Sequence, residues 1–508
     1  MKDEMTDITT DYLIIGAGSA GSVVAARLSE DPTVRVTLLE AGGDFKPPAA
    51  ADPSRWRTLA QSELDWGFVT APQRGAAGRS IAYPRGKAVG GTSMINAMMH
   101  VWPERADFDA WPTTGATKWS FDEVLPFLQK AETVHPHVDA SLHGQAGPFT
   151  VRAEPPNDFT DAAVGSLTSI RHAWAGRFPL AIKDNSRETV ADAYLTPEVR
   201  SRPNLTIASD TVVTKLRFDQ NQRCIGAEFT RNGVPEWIVA RREVILSAGV
   251  IGTPHLLQVS GVGDTKHLQE LGIAPISHSP EVGRNFRDHP LLIMAYPSSS
   301  PVSAVDQRVE AGALIYSSDE QVEPDLHVFT MRNDAPDGSS SVAIGVAVLR
   351  PQSTGSVVAS SASISDPPAV DPNLLSEVED VRRLAAGVEI VRELATSSAL
   401  RQFTSFEVLP GPNTDTAESL ERRIRDLVGF YWHGVGTARM GSDQRAVVDP
   451  DLLVRGVSGL RIVDASVMPA MVSANTNATV LAIAERAAHL IKQRAAERSG
   501  ATPLTVGA

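Results

Sequence analysis

Four apolar residues in a row, Tyr12-Leu13-Ile14-Ile15, stop at Gly16. So short an apolar run, ended by a residue suited to a tight turn, reads as a buried strand. Ala20 to Ser29 then has helical spacing, with Val23, Val24, Ala26 and Leu28 apolar. Val34 to Leu39 is a second, mainly apolar run rich in β-branched residues, ending at Glu40. Strand, helix and strand in quick succession form a βαβ unit and predict a parallel sheet covered on both faces. Farther along, Val244-Ile245-Leu246 reads as another buried strand, followed by an apolar helix through Leu256-Leu257. Between Pro290 and Leu409 the segments Asp325 to Phe329 and Ser341 to Val348 predict strands of a separate sheet, and Val381 to Leu394 an amphipathic helix. Leu460 to Val463 reads as one more strand and Val480 to Lys492 as a helix. No internal repeat is visible. The simplest architecture is an α/β nucleotide-binding domain assembled from separated segments, with a second domain inserted into it.

Composition narrows this picture by exclusion. The chain has 508 residues and 42% hydrophobic content, enough to bury a large core and to make two to four domains. Its 47 Lys+Arg against 60 Asp+Glu give a net charge of −13, which argues against the many phosphate contacts of non-specific nucleic-acid binding. A single cysteine, Cys224, excludes a disulfide within the chain and any cluster of thiolate ligands. Met1 to Thr10 is polar and acidic and lacks the basic start and apolar run of a secretory signal. Nowhere does an apolar stretch approach the roughly 20 residues of a membrane helix. A soluble, cytoplasmic protein with no membrane span and no nucleic-acid partner is expected, with a fraying tail from Arg494 to Ala508.

The candidate chemistry begins where the first strand ends. Gly16-Ala17-Gly18-Ser19-Ala20-Gly21 fits GxGxxG between a strand and a helix. The first glycine permits the turn, the second lets a diphosphate approach the backbone, and the third allows close packing of helix on strand. Glu40 stands 19 positions after Gly21, at the end of the next strand, where a carboxylate can accept from a ribose diol. This motif does not by itself choose between FAD and NAD. A second glycine-rich stretch, Arg85 to Asn96 with Gly90-Gly91 at its centre, reads alone equally well as a flexible loop or as backbone lying against a ligand. A third, Thr253 to Gly263, reads as a helix begun at proline and stopped by glycine.

Taken in order, these blocks resemble the glucose–methanol–choline family of FAD-dependent alcohol oxidoreductases. The resemblance spans nearly the whole chain. It continues through His143-Gly144-Gln145-Ala146-Gly147-Pro148, Val282 to His289, Tyr431-Trp432-His433-Gly434, Asp464 to Pro469, and Asn475-Thr476-Asn477. The pattern looks nearest to choline-dehydrogenase-like and furfuryl- or aryl-alcohol-oxidase-like bacterial members. It implies a discontinuous Rossmann-like FAD domain over 1–155, 200–290 and 430–508. An α+β substrate domain on an antiparallel sheet would occupy 156–199 and 291–429. By the same resemblance Gly16, Gly18, Ser19, Gly21 and Glu40 would contact the ADP half of FAD, with Val213 beside adenine through its backbone. Val89, Gly91, Asn96 and Met99 would approach the diphosphate or the isoalloxazine. Asp464, Ala465 and Thr476 would close the site, and Trp66 is a cofactor-loop candidate. Where some members tether FAD to a histidine, this chain has Ile95, so non-covalent FAD is expected. Residues 184–195 are shorter than the corresponding family stretch, which implies an open entrance or an altered pocket.

Alcohol oxidation requires a base for the hydroxyl proton and a hydride acceptor, which flavin N5 can be. Histidine suits the base. The resemblance places His433 at the active-site histidine and Asn477 at its partner. His100 and His327 are secondary candidates, and His289 reads as structural. His135 and His137 have metal-like spacing without supporting ligands, so no metal is expected. The resulting expectation is oxidation of a small-molecule alcohol, a primary one for preference, to an aldehyde, with O2 or another acceptor reoxidising the flavin. Choline itself would want an aromatic cage and a carboxylate; Tyr431 and Trp432 could contribute, but no partnering acid is identified. Two alternatives stay open: an FAD-containing lyase on the same scaffold, and a non-catalytic flavin-binding protein.

Overall fold

A computed structural model describes residues 8–135, 142–153, 155, 157–298, 309–334 and 340–499. Thus Met1 to Asp7, His137 and the tail from Gly500 to Ala508, among the segments singled out above, lie outside the described residues.

The first βαβ unit forms as its apolar pattern predicts. Strands Ile8–Ile15 and Val36–Leu39 pair in parallel and flank the helix Ser19–Leu28. They sit in a seven-stranded sheet whose path runs Leu205–Ala208, Val36–Leu39, Ile8–Ile15, Val234–Leu246, Cys224–Arg231 and Thr211–Phe218. The long strand Val234–Leu246 joins the sheet's two halves. It runs parallel to Ile8–Ile15 and antiparallel to Cys224–Arg231, and its end also pairs in parallel with Leu460–Ile462. Val244, Ile245 and Leu246 are fully buried, as their uninterrupted apolar run requires. The helix Gly249–Val259 follows directly, and the C-terminal helix Thr476–Ser499 packs on Ser19–Leu28 through the Arg27–Glu485 ion pair, 2.6 Å.

A second sheet has six strands, in the order Gly429–Phe430, Pro290–Pro297, Ser340–Val348, Leu326–Asp334, Val309–Ile315 and His172–Arg177, every pairing antiparallel. One face is covered by the helix Val378–Thr396, where Gly387 comes so close to Val346 that a Cβ would not fit. The other face looks toward the first sheet. Residues 184–195 form a tight hairpin, Ile182–Lys183 against Ser186–Arg187, with Asp184 and Asn185 both left-handed, and then the short helix Val190–Tyr194 capped by Thr189. Among the described residues no helix is long and apolar enough to cross a membrane.

Candidate active site

A cavity of about 1160 Å³ lies between the two sheets. At one end, the turn after Ile8–Ile15 puts Gly16 at φ +97°, with Ser247 O 2.5 Å from where a Cβ would stand. Gly21 is packed against the Gly16 carbonyl, so the helix can start this close only without a side chain. The second glycine loop folds against the first: a Cβ on Gly91 would lie 2.6 Å from Gly18 Cα. Two loops more than seventy residues apart in sequence thus form one side-chain-free cradle. Arg187 braces the second loop from behind. Its buried guanidinium donates to Ala50 O (2.8 Å), Asn96 O (2.6 Å) and Asn96 Oδ1 (2.9 Å), and burial lowers its pKa to about 9.

Glu40 lies on the cavity wall. Its Oε2 accepts from Ala17 N at 2.8 Å and its Oε1 from Gly42 N at 2.9 Å, so the carboxylate pins the turn it follows. Burial raises its pKa to about 7 against those backbone donors. Asp464 serves a similar end elsewhere: Oδ2 accepts from Gly249 N and Thr253 Oγ1, and Oδ1 from Ser466 N, fixing the start of the helix Gly249–Val259. Gly16, Gly18, Ser19, Trp66, Gly91, Asn96, Met99, Val213, Ala465 and Thr476 also reach the wall. Gly21 stands behind it, as packing glycine. Val89 does not reach it: the side chain is in the core and its N–H is spent on Gly43 O. No residue of 184–195 lines the cavity, so the shortened stretch backs the second glycine loop instead of shaping the pocket wall.

At the other end stands His433. Its backbone N–H donates to Asp288 Oδ1 (2.8 Å), and the preceding Trp432 is left-handed at φ 61°, its carbonyl held by Arg85 Nη2 at 2.7 Å. Tyr431 stacks on the His433 ring, centroids 4.2 Å apart. The hydrogen bonds fix the tautomers. His289 Nε2 lies 3.0 Å from Val472 O, which can only accept, so Nε2 carries the proton and Nδ1 of His289 is an acceptor. His433 Nδ1, 3.0 Å from that atom, must therefore be the donor. His433 Nε2 is left with a lone pair, toward which Asn475 Nδ2 donates at 3.1 Å. Burial, then the neighbouring His289, His327 and Arg85, holds the His433 pKa well below 6.5.

Two sequence expectations are corrected here. Asn477 is not the neighbour of His433: its Oδ1 accepts from Ser19 Oγ at 2.8 Å, and the amide beside the imidazole is Asn475. His289 is the atom-to-atom partner of His433 and more than a structural residue; its signal was its position just before Pro290, which pairs with Phe430 and so brings His289 beside Tyr431 and His433. Neither secondary histidine reaches the cavity wall. His100 is buried against Glu132 (2.7 Å), a carboxylate that also takes His143 and Trp102. His327 is buried with Nδ1 3.4 Å from Tyr431 Oη, and burial pushes its pKa down to about 3.

The residues present fit a flavin dinucleotide. The Gly18–Gly91 cradle would be filled by any side chain, and two buried polar atoms on the cavity wall, Ser247 Oγ and Asn475 Oδ1, have no partner in the protein. Gly16, Ser19 and Glu40 would hold the nucleotide end and Gly91, Asn96 and Ala465 the flavin end.

Comparison with known proteins agrees. A family model described as GMC oxidoreductase matches residues 10–291, and its C-terminal counterpart matches 351–484. The chain is 33% identical to an alcohol dehydrogenase [acceptor] of Pseudomonas putida, covering 95% of this chain and 96% of that protein. It is 35% identical to choline oxidase of Arthrobacter globiformis, covering 98% and 97%. The crystal structure of pyridoxine 4-oxidase from Mesorbium loti superposes with a TM-score of 0.89 at 32% identity, over 94% of this chain and 98% of that one. With its glycine cradle, its histidine chain and these full-length likenesses, the chain belongs to the GMC oxidoreductase family, FAD-dependent enzymes acting on CH–OH donors.

Proposed function

We propose that the protein oxidises an alcohol, a primary one for preference, to its aldehyde, with His433 Nε2 taking the hydroxyl proton. The observation that carries this is the hydrogen-bond chain Val472 O, His289, His433, Asn475, which fixes the proton of His433 on Nδ1 and turns the Nε2 lone pair, accepting from Asn475, toward the cavity. FAD, when bound, supplies the two-electron acceptor for the hydride released from the same carbon. The depressed pKa keeps His433 neutral and ready to accept a proton at ordinary pH. An alcohol hydroxyl would take the place of the Asn475 N–H at Nε2, and the displaced amide would donate to the alcohol oxygen instead. Tyr431 holds the imidazole plane by stacking, and Asp288 holds the backbone of His433. The similar proteins named for alcohol, choline and pyridoxine oxidation support the reading. Ile95 on the cavity wall offers no atom for a covalent link, which supports dissociable FAD. The division into a discontinuous FAD domain and an inserted substrate domain, and O2 or another small acceptor as oxidant, belong to the same proposal.

The test is stopped-flow flavin reduction by alcohol under anaerobic conditions. General-base assistance is typically worth about 10²–10⁴-fold, so His433→Ala should slow reduction by that order while the flavin spectrum shows FAD still bound. Near-wild-type reduction in the loaded variant would remove His433 from the mechanism.

A further inference from the structure

We propose that the substrate end of the cavity is a slot for an uncharged, apolar alcohol, aryl or alkyl, and that it turns away alcohols bearing a quaternary ammonium group. The inference rests on the alcohol-oxidising reading and narrows it.

Six side chains make the slot: Leu291, Ile293, Val309, Phe329, Met331 and Tyr431. Its floor comes from strand register. Ser340–Val348 runs between Pro290–Pro297 and Leu326–Asp334, setting Ala347, Gly345 and Ala343 between Leu291, Ile293 and Ala295 on one side and His327, Phe329 and Met331 on the other. A Cβ on Gly345 would run into the Phe329 ring, so that ring lies down over the strand of small residues. Phe329 stacks on Tyr431 (centroids 5.2 Å, 26° between planes) and Tyr431 on His433 (4.2 Å, 28°). The stack runs unbroken from the base into the slot, and an aryl ring or an alkyl chain lies along it at no polar cost.

Charge points the same way. A buried ammonium group needs a counter-charge, because leaving one unpaired costs several kcal/mol. Among the described residues on the cavity wall the only acids are Glu40, at the first glycine turn, and Asp464, at the start of the helix Gly249–Val259, and neither is among the slot residues. Glu310, the acid next to Val309 in the chain, does not line the wall and is spent on Arg332 (2.7 Å), Asn157 and Thr160. The aromatic faces of Phe329 and Tyr431 offer about 0.5–2 kcal/mol of cation–π attraction, less than that cost.

The experiment uses the FAD-loaded protein under anaerobic conditions with benzyl alcohol, 1-hexanol and choline, reading flavin bleaching. In parallel, benzamide and tetramethylammonium, which cannot be oxidised, are titrated against the visible flavin spectrum. Benzyl alcohol and hexanol should reduce the flavin with kred/Kd about 10² or more above choline, and only benzamide should perturb the spectrum. Ile293→Asp should narrow or invert that ratio, and Gly345→Ala, by lifting Phe329 into the slot, should penalise benzyl alcohol more than 1-propanol. Choline reducing the flavin as efficiently as the apolar alcohols, or tetramethylammonium binding as well as benzamide, would overturn the slot while leaving alcohol oxidation intact. If no alcohol bleaches the flavin but benzamide alone still binds, the slot stands and the oxidation reading falls.

Discussion

His433 owes its protonation pattern to a residue on the far side of its own ring. Because His289 can only accept at Nδ1, its loss frees the His433 proton to move between the two nitrogens and leaves the base in the wrong tautomer part of the time. His289→Ala should therefore slow flavin reduction by roughly 10–100-fold, the scale of second-layer hydrogen bonds that orient functional histidines, with partial recovery in His289→Gln. A rate unchanged in a folded, FAD-loaded His289→Ala enzyme would sink the idea. The pH dependence has a definite sign. Burial, His289, His327 and Arg85 all lower the His433 pKa, so the neutral base persists below pH 6.5 and the acid limb of the reduction rate falls on the acid side of that value. Arg85→Met removes one lowering charge and should move the limb upward. A wild-type limb at or above pH 6.5 would contradict the assignment. The two asparagines separate just as cleanly. Asn475→Ala should slow reduction, whereas Asn477→Ala should act on FAD retention and Tm through the lost Ser19 bond, worth about 1 kcal/mol. Both amides were visible as one block in the sequence, but the block does not reveal where the helix begins. It begins at Thr476, and residues two apart near a helix start point about 200° apart, so only one of them can face the imidazole.

At the scale of elements, the two glycine loops make a matched pair with different tolerances. An alanine at Gly91 collides with Gly18 Cα, while one at Gly18 meets nothing in the protein nearer than 3.9 Å. Gly91→Ala should thus lower the Tm of the apoprotein as well as its FAD content. Gly18→Ala should leave the apoprotein Tm near wild type and lose FAD alone, as read by the ratio of 450 nm to 280 nm absorbance. Equal apoprotein Tm values for the two variants would mean the loops do not touch as described. The first loop was legible because a strand, a turn and a helix leave an unmistakable apolar pattern within Tyr12 to Leu28. Its brace was not, because Arg187 lies on a hairpin nearly a hundred residues from the loop it holds. Likewise the strands Pro290–Pro297 and Val309–Ile315 escaped a residue-pattern reading. The first is apolar on both faces between prolines and the second carries Glu310 and Gly312, and both become strands through their neighbours.

For the molecule as a whole, buried histidines link stability to pH. His255 is buried with Nε2 lacking a partner, and burial lowers its pKa to about 4. Between that value and the unfolded 6.5 the unfolded chain binds more protons, so the group's contribution is intact above pH 6.5 and is lost as pH falls toward 4. At pH 5 the loss is about 2 kcal/mol, and His255→Leu should shrink the drop in unfolding free energy between pH 7.5 and 5 by that amount, measured by urea titration. An undiminished drop would show that His255 is not the titrating group. The closure of the cofactor site has a consequence for how the protein is made. Ser19, in the first turn of the first helix, bonds to Asn477, and the sheet that begins at Ile8 gains its last strand only at Leu460–Ile462. On a ribosome, chains emerge from the N-terminus and fold in that order. The first glycine turn therefore stays incomplete until Asp464, Asn475 and Thr476 have joined it. Flavin binding is thus a reading of long-range closure: a chain cut before Leu460 would keep the whole glycine motif and still have no complete flavin pocket.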